Sequence, residues 1–352
     1  MDELVDAFAR TIRDAASRGE ALYLRGSGSK AFYGGTPSGR AMDVASYRGI
    51  VQYEPTELVI TARAGTPLAE VESVLADRGQ MLACEPPHFG PGATIGGCVA
   101  TGLSGPRRAY AGAVRDFVLG VRMIDGRGDI LSFGGQVMKN VAGFDVSRLA
   151  VGSLGTLGVL LETSFKVLPC PAEEMTLRFE VNELEAIEVA NRWGGSALPL
   201  SATCHREGAL MVRLSGAAPA LASARAKLGG ERVHDASKYW AALREQTLDF
   251  FAGNRPLWRL SVKSTTPPLN LAGNQLTEWG GALRWLASDL PAQVIRTAAA
   301  NAGGHATLFR GSGGTVPAFH PLPPPLLALH RRLKRAFDPK GILNPGRLFP
   351  DA

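Results

Sequence analysis

The stretch Ala93-Thr94-Ile95-Gly96-Gly97-Cys98-Val99-Ala100-Thr101-Gly102-Leu103-Ser104-Gly105 organises the rest of this 352-residue chain. It carries no charge, and its glycines are interspersed with two threonines and a serine. Glycine lets a backbone approach a ligand closely and adopt φ > 0, and hydroxyls and free N–H groups bind anionic oxygens. Residues 90–158 hold 16 of the chain's 42 glycines, about twice an even share. The sequence therefore predicts backbone exposed to a large ligand, which we interpret as a dinucleotide.

The composition is that of a globular protein, with 45% hydrophobic and 20% charged residues. The length favours two domains, and no apolar run approaches the ~20 residues that cross a bilayer. The acidic N-terminus is unlike a targeting peptide. The cysteines form no CxxC pair or metal-ligand spacing, which favours reduced thiols and a cytoplasmic location. They are Cys84, Cys98, Cys170 and Cys204.

Most of the net charge of +6 lies near the C-terminus, because residues 326–350 carry six lysines and arginines against the single carboxylate of Asp338. A nucleic-acid-binding protein would show a broader basic face with interleaved aromatic residues. Two interpretations of the basic segment remain open. One is a solvated helix face, and the other is a docking surface for an acidic partner or for lipid headgroups.

The pattern of secondary structure changes at Pro169 and Pro171. The first part is predicted to contain an amphipathic helix over 2–18, a hairpin over 118–133, and strands near 21–25, 50–53, 58–63 and 159–167. Between 173 and 311, strands alternate with helices, which predicts a small antiparallel sheet with helices on one side. A Gly/Pro linker, a basic helix and an extended tail follow, at 311–325, 326–337 and 338–350.

The loop Gly26-Ser27-Gly28-Ser29-Lys30 satisfies a loose Rossmann pattern together with Ala31. That pattern requires a helix to begin at once, and the following Phe32-Tyr33-Gly34-Gly35-Thr36-Pro37 excludes one. The residues around Lys30 also do not form a Walker loop. The loop offers consecutive N–H donors beside a lysine, which suits a pyrophosphate, although a simple Gly/Ser turn remains the alternative.

Four segments, in the expected order, resemble the vanillyl-alcohol oxidase/p-cresol methylhydroxylase flavoproteins. The segment Arg25-Gly26-Ser27-Gly28-Ser29-Lys30 resembles their first pyrophosphate loop, and Ala93-Thr94-Ile95-Gly96-Gly97 resembles their second. The third loop is similar to Gly152-Ser153-Leu154-Gly155-Thr156-Leu157-Gly158-Val159, and residues 337–347 are similar to the C-terminal tail of the 2-hydroxy-acid-oxidising branch. Together the segments frame nearly the whole chain.

Further segments are similar to the FAD-binding subunits of bacterial glycolate oxidases. They cover residues 28–32, 84–90, 102–108 and 137–145. The resemblance implies an α+β fold with a two-part FAD-binding domain over 1–171, completed by the tail 326–352. It also implies a reduced antiparallel-sheet cap domain over 172–320.

The resemblance implies roles for particular residues. Residues 26–30 would hold the FAD pyrophosphate, Thr94 to Cys98 would follow the pyrophosphate and ribityl chain, and Ser104 and Gly105 would lie near the flavin. Val159 would lie near the adenosine. Some relatives attach flavin to a histidine where this chain has Ser29, so noncovalent FAD is expected. The predicted FAD-binding residues are Arg25, Gly26, Ser27, Gly28, Ser29, Lys30, Ala93, Thr94, Ile95, Gly96, Gly97, Cys98, Ser104, Gly105, Gly155, Gly158 and Val159.

The catalytic residues are not identified by the sequence. Catalytic relatives carry a His-Ala-Gly-Asp-Gly-Asn-x-His-like segment, whereas the nearest stretch here, residues 301–305, holds one histidine and no acid. The six histidines show no metal-ligand spacing, so no metal is expected. Arg259 and Arg310 are candidates for binding a carboxylate, His305 for a base, and His88 for touching flavin. Each also has an ordinary structural role as its alternative.

The resemblance implies an FAD-dependent 2-hydroxy-acid oxidoreductase that acts within a complex. As an FAD-binding subunit, the chain would accept or relay electrons from the oxidation of glycolate to glyoxylate. The alternative is a non-catalytic assembly subunit that binds FAD structurally. A larger flavin subunit and an iron–sulfur subunit are the implied partners. Nucleic acid is not expected, and the membrane would be reached only peripherally, through the complex.

Overall fold

The computed structural model describes residues 2–135, 145–311 and 316–349. The segment 137–144 of one glycolate-oxidase-like motif lies outside these residues. The elements of the first half are α1 (Asp2–Arg18), β1 (Leu22–Arg25), β2 (Arg40–Asp43), β3 (Ile50–Glu54), β4 (Val59–Arg63), α2 (Leu68–Ala76), β5 (Gln80–Met81), α3 (Ile95–Thr101), α4 (Arg108–Ala111), α5 (Val114–Phe117), β6 (Val118–Ile124), β7 (Ile130–Gly134), α6 (Val146–Ala150), β8 (Val159–Lys166) and β9 (Leu168–Pro169).

A five-stranded antiparallel sheet forms the centre of the first half, in the order β3-β4-β8-β6-β7. The apolar strand β8 lies in its middle and is buried at most positions, as a central strand requires. Helix α2 contributes Leu68, Val71 and Leu75, which recur at helical spacing and are fully buried. Helix α3 packs into the same core through Ile95 and Val99.

Helix α1 covers a second core. Its apolar stripe, including Phe8, Ile12 and Ala15, is buried against β1 and the C-terminal tail. Strand β1 pairs in parallel with β2, and an isolated parallel bridge joins Leu22 to Leu343. The two chain ends therefore share one core.

The second half is built on an eight-stranded antiparallel sheet, in the order β13-β10-β12-β11-β15-β16-β14-β17. This sheet is larger than the one that the sequence predicts, because hydrophobic patterning does not identify its two short strands, β13 and β15. Its elements are β10 (Glu173–Glu180), α7 (Glu183–Gly194), β11 (Leu200–Arg206), β12 (Ala209–Gly216), α8 (Ala218–Leu228), β13 (Glu231–Val233), α9 (Ser237–Glu245), β14 (Leu257–Ser261), β15 (Asn274–Glu278), β16 (Leu283–Ala287), α10 (Ala292–Asn301), β17 (His305–Arg310) and α11 (Pro324–Phe337).

One face of the eight-stranded sheet packs against the first half of the chain. Trp285 and Phe309 of the sheet share a buried cluster with Tyr33 and Leu103. At the edge of this contact, the carboxylate of Glu85 accepts hydrogen bonds from Nη2 of Arg213 at 2.8 and 2.9 Å. The same carboxylate also pairs with Arg107, at 3.3 Å. The sheet is therefore attached to the first half by both apolar and ionic contacts.

A buried ion pair fixes the C-terminal tail. The ammonium of Lys334, at the end of α11, donates to Asp338 Oδ2 at 2.6 Å and to the carbonyls of Thr156 and Leu343 at 2.8 and 2.7 Å. The Asp338 carboxylate also accepts from the backbone N–H of Leu343, at 2.7 Å. Lys334, one of the basic residues counted above, therefore holds the tail within the fold and does not face solvent.

We expect Asp338→Ala to lower the free energy of unfolding by about 3–5 kcal/mol, because it leaves the Lys334 ammonium buried without its counterion. Urea denaturation of purified variants measures this loss. Arg335→Ala, on the exposed side of the same helix, should change the free energy by no more than about 0.5 kcal/mol. Equal losses for both variants would contradict a specific role for the buried pair.

Candidate functional site

An open cleft of about 790 Å³ lies where the glycine loops meet the tail. Its walls include residues of all three loops, and they carry the cationic side chains of Arg25, Lys30 and Arg347 but no aspartate or glutamate. Because the lining is positive and lacks carboxylates, the cleft suits an elongated anionic ligand.

The first loop presents backbone donors to the cleft. Among the described residues, no acceptor is found for the N–H groups of Gly26, Ser27, Gly28 and Lys30. Buried or half-buried backbone donors are normally paired, so those of Gly26, Gly28 and Lys30 indicate a ligand or water at the loop. Gly28 has φ +78°, a conformation that favours glycine. The loop thus lines the cleft with backbone N–H groups that have no acceptor among the described residues.

Two contacts fix the position of the first loop. A Cβ atom on Gly26 would lie 2.8 Å from Oγ1 of Thr94, so glycine allows the loop to approach the start of α3. The ammonium of Lys30, which is 7% exposed, donates to the carbonyl of His88 at 3.0 Å. Burial lowers the pKa of Lys30. Lys30 therefore ties the first loop to the segment before the central stretch.

The central stretch contains a helix, α3, for which the sequence analysis predicted no secondary structure. Thr94 is the N-cap of α3, and its Oγ1 accepts from the N–H of Gly97 at 3.1 Å. Because the side chains of a helix point to different faces, some predicted residues of α3 face the cleft and others face the core. Gly96, Gly97 and Thr94 line the cleft, as do Ala100 and Thr101, which the sequence did not single out.

The predicted residues Ala93, Ile95 and Cys98 do not line the cleft. Ile95 and Cys98 are one helical turn apart on the core side of α3, and both are 1% exposed. Ala93 precedes the helix cap, and its carbonyl accepts from the N–H of Leu68 at 2.7 Å. These three residues support the wall of the cleft from behind.

The third loop brings Gly155, Gly158 and Val159 to the cleft. Gly155 has φ +73°, and a Cβ atom there would lie 2.7 Å from Nδ2 of Asn344. Asn344 in turn accepts from the N–H of Leu24 at 2.7 Å and donates to the carbonyl of Leu154 at 2.6 Å. One tail residue therefore joins the strand before the first loop to the third loop.

Ser104 and Gly105 line a second, smaller cavity of about 340 Å³ beyond the C-terminal end of α3. Oγ of Ser104 accepts from the N–H of Val114 at 3.0 Å, and the carbonyl of Gly105 accepts from Nε1 of Trp279 at 3.0 Å. The opposite wall comes from the eight-stranded sheet. The structure thus separates these two residues from the other predicted positions and sets them against the second half of the chain.

The second cavity contains a buried carboxylate that sequence reasoning missed. Glu278, at the end of β15, is 4% exposed, and its Oε1 accepts from Nε1 of Trp285 at 2.7 Å. Burial raises the pKa of Glu278 to about 7, while the hydrogen bond from Trp285 and the charge of Arg259 oppose this rise. A single glutamate in a short strand has no local signal, so only the fold identifies it.

Arg259 lines the same cavity, and the other polar candidates do not. Its guanidinium stacks on the ring of Trp279 at 5.2 Å and donates no hydrogen bond to the described residues. Arg310 stacks on Phe32 at 4.8 Å, and burial lowers its pKa. His305 is exposed at the start of β17. Arg259 is therefore the candidate best placed for a small anion.

His88 lines neither cavity, and its Nε2 lies 3.1 Å from Oε2 of Glu72. No group of three or more histidine, cysteine or acidic side chains that could hold a metal ion occurs in the described ranges. All four cysteines are unpaired. The part of the chain that the structure describes also has no helix both long and apolar enough to cross a membrane.

We expect the free energy of unfolding to fall between pH 5 and 7 because of Glu278. Since its pKa is about 7 in the folded protein and about 4.3 in a model peptide, the unfolded chain ionises first as the pH rises. The loss should approach about 3 kcal/mol at pH 8. Glu278→Gln keeps the acceptor for Trp285 and should remove this loss, as followed by Tm against pH.

Glu173→Gln, at an exposed position of the same sheet, is the control and should retain the wild-type slope. If Glu278→Gln shows the same fall in Tm as wild type, the buried carboxylate does not titrate in this range.

The comparisons with known proteins agree with this architecture. A sequence profile described as FAD binding domain matches residues 3–134, and one described as FAD linked oxidases, C-terminal domain matches residues 322–348. An alkyldihydroxyacetonephosphate synthase structure superposes with a TM-score of 0.66 at 14% identity, covering 96% of this chain and 74% of that one. The α+β FAD-binding fold expected from the sequence is thereby confirmed.

Three relatives are similar to the chain, and the first of them shows its family. The chain is 51% identical over 346 residues to glycolate oxidase subunit GlcE of Escherichia coli (strain K12), with 98% of this chain and 97% of that protein covered. It is 29% identical over 174 residues to glycolate oxidase subunit GlcD of Bacillus subtilis (strain 168), covering 49% of this chain and 37% of GlcD. Identity to D-lactate dehydrogenase [cytochrome] 1 of Saccharomyces cerevisiae is 34% over 125 residues, covering 36% of this chain and 21% of that protein. End-to-end similarity to GlcE, together with the glycine-lined cleft, shows that the chain belongs to the GlcE family of FAD-binding glycolate oxidase subunits.

Proposed function

We propose that this chain is the FAD-binding subunit of a glycolate oxidase complex and accepts or relays electrons from the oxidation of glycolate to glyoxylate. The observation that carries the proposal is the cleft, with its free backbone N–H groups and a lining that has cations and no carboxylates. End-to-end similarity to GlcE supports the substrate, because GlcE is a glycolate oxidase subunit.

The residues around the cleft fit FAD. In our proposal the N–H groups of residues 26–30 bind the pyrophosphate, with Arg25 and Lys30 supplying positive charge. Gly96 and Gly97 of α3 allow the ligand to approach the backbone, and the third loop, from Gly155 to Val159, borders the adenosine. The residues that support α3 from its core side are Ala93, Ile95 and Cys98. Ser104 and Gly105 face the flavin end.

We further propose that the division at residue 171 separates an FAD-binding domain, 1–171 with the tail 326–352, from a cap domain, 172–320. In this division, residues of the first domain line the cleft, and residues of both domains line the second cavity. This arrangement would let the first domain hold the cofactor while the cap supplies the side chains that face the substrate.

We expect Gly97→Val to abolish FAD binding while leaving the protein folded. A Cβ atom at Gly97 meets only Oγ1 of Thr94, at 3.2 Å, so the valine would project into the cleft and occupy ligand space. The same change at Gly96 would unfold the region, because a Cβ atom there lies 2.7 Å from Cβ of Ala64. The measurement is the flavin released into the supernatant by acid precipitation, alongside Tm.

Acid release also tests the noncovalent linkage that Ser29 implies, since wild-type protein should release all of its flavin. Ser104→Ala, which removes one hydrogen bond worth about 1 kcal/mol, is the matched mild variant. Equal flavin content in Gly97→Val and Ser104→Ala would contradict a cleft-lining role for Gly97. Colour that stays with the precipitated protein would contradict the noncovalent linkage.

The second cavity suits the substrate end of the reaction. Glycolate needs a cation for its carboxylate and a group that takes the hydroxyl proton. Arg259 is the cation that lines this cavity from the sheet, and Glu278 is a carboxylate with a pKa near neutrality. When bound, FAD supplies the two-electron acceptor that amino-acid side chains lack.

The alternative, an assembly subunit that binds FAD structurally, remains our second candidate. It is favoured by the absence of paired histidines in the sequence. In either case the proposed partners are a larger flavin subunit and an iron–sulfur subunit. We also propose a cytoplasmic location, with peripheral membrane association through those partners.

We expect the isolated, FAD-loaded chain to leave its flavin oxidised when it is mixed anaerobically with glycolate, and the reconstituted complex to show bleaching. The reason is that the second cavity offers two arginines, Arg244 and Arg259, and one carboxylate, Glu278, but no paired bases. Stopped-flow absorbance follows the flavin. Full bleaching of the isolated chain within seconds would rule out the assembly role, and Arg259→Met would then test the carboxylate contact.

A further inference from the structure

The third glycine loop borders a second large depression in the surface. Gly155 and Gly158 line the FAD cleft, whereas Gly152, Ser153 and Thr156 of the same loop line a groove of about 780 Å³. Helices α6 and α11 and the end of the tail provide the other walls, through Arg148, Leu149, His330, Leu333, Leu348 and Phe349. The groove is therefore separated from the cofactor site by one loop.

Exposed apolar side chains extend the groove along both helices. Leu149 of α6 is 40% exposed, and Leu326 and Leu329 of α11 are 42% and 56% exposed. Leu326 and Leu329 lie seven and four residues before the groove residue Leu333, which puts all three on one helix face. That face runs roughly 16 Å from Leu326 to Phe337. Its length suits a segment of polypeptide better than a small molecule.

The rim of the groove is basic. Arg115 and Arg148 lie on it, and no residue lining it carries a carboxylate. Arg148 pairs with Asp145 at 2.9 Å, but both side chains are more than 40% exposed, so the pair contributes little and exchanges readily for another carboxylate. Lys334 at the floor is already neutralised by Asp338. The available charge therefore lies at the edge, where it meets an incoming chain.

We infer that this groove docks a segment of a partner subunit that carries apolar side chains flanked by carboxylates. The apolar side chains enter between α6 and α11, and the carboxylates meet Arg115 and Arg148. This inference rests on the proposed function, since it concerns how the chain joins the glycolate oxidase complex. It assigns the contact to one surface, beside the wall of the cofactor cleft.

Two other occupants fit less well. A symmetric pairing of two copies of this chain would bring the arginines of both rims together, with only Asp145 of each copy to offset them. A bilayer surface is flat and would leave the concave groove between α6 and α11 unfilled. A carboxylate-bearing polypeptide satisfies both the shape and the charge.

The experiment uses the full-length, FAD-loaded chain with an affinity tag, co-expressed with the larger flavin subunit of the same glycolate oxidase. Leu149→Asp and Arg115→Glu should each lower the amount of that subunit recovered, or raise the Kd, at least tenfold. Both positions are exposed, so Tm and flavin content should stay at wild-type values. The matched controls are Leu184→Asp, at a 46% exposed leucine of α7, and Arg335→Glu, on the far side of α11, and both should bind like wild type.

Several outcomes would overturn the inference. Wild-type recovery with Leu149→Asp and Arg115→Glu, or equal losses in the two controls, would show that the groove is not the contact. A second assay tests whether the wild-type chain sediments with anionic vesicles. If the variants abolish this sedimentation but keep subunit binding, the groove would be assigned to lipid. A doubled mass in size-exclusion chromatography with light scattering, lost in the same variants, would assign it to self-association. Failure of the wild-type chain to bind the subunit would remove the proposed complex as well.

Discussion

The close approach of α3 to the end of β4 is the constraint on which the cofactor site depends. Gly96 donates its N–H to the carbonyl of Ala64 at 2.8 Å, and a Cβ atom on Gly96 would lie 2.7 Å from Cβ of Ala64. Only glycine permits this separation. Because α3 is held at this distance and capped by Thr94, its next residues, Gly97 and Thr101, face the cleft while Cys98 faces the core. One backbone contact thereby orients a helix that is otherwise short and rich in glycine.

The C-terminal tail extends this constraint to the other two loops. Asn344 joins the strand before the first loop to the third, and the guanidinium of Arg347 donates to the carbonyls of Ala31, Tyr33 and Gly35. The buried pair of Lys334 and Asp338 holds the tail in place for these contacts. Segments more than 300 residues apart in the sequence therefore form a single site. The basic residues of the tail therefore do not all face solvent. Two of them, Lys334 and Arg347, bind backbone carbonyls inside the fold.

The sequence predicted those features whose cause is local. Strand β8 follows from its apolar run, and the hairpin of β6 and β7 follows from two apolar segments around a glycine-containing turn. The first loop follows from the conformational freedom of Gly28. Helix α3 was missed because glycine has low helix propensity, so its helical state is imposed by tertiary packing against Ala64. The short strands β2, β13 and β15 were missed because partners in the sheets, and not their own residues, establish them. Glu278 was missed for the same reason, since its burial depends on neighbouring strands.

The third loop lies between the FAD cleft and the groove proposed for docking. It is short and glycine-rich, and it is packed on one side by Asn344 and on the other by the groove residues of α6 and α11. A segment seated in the groove would restrict this loop, and a loop already restricted loses less conformational entropy when cofactor binds. By reciprocity, bound cofactor would favour docking by the same free energy. A subunit that meets its partner through this groove would therefore assemble preferentially in its cofactor-loaded form.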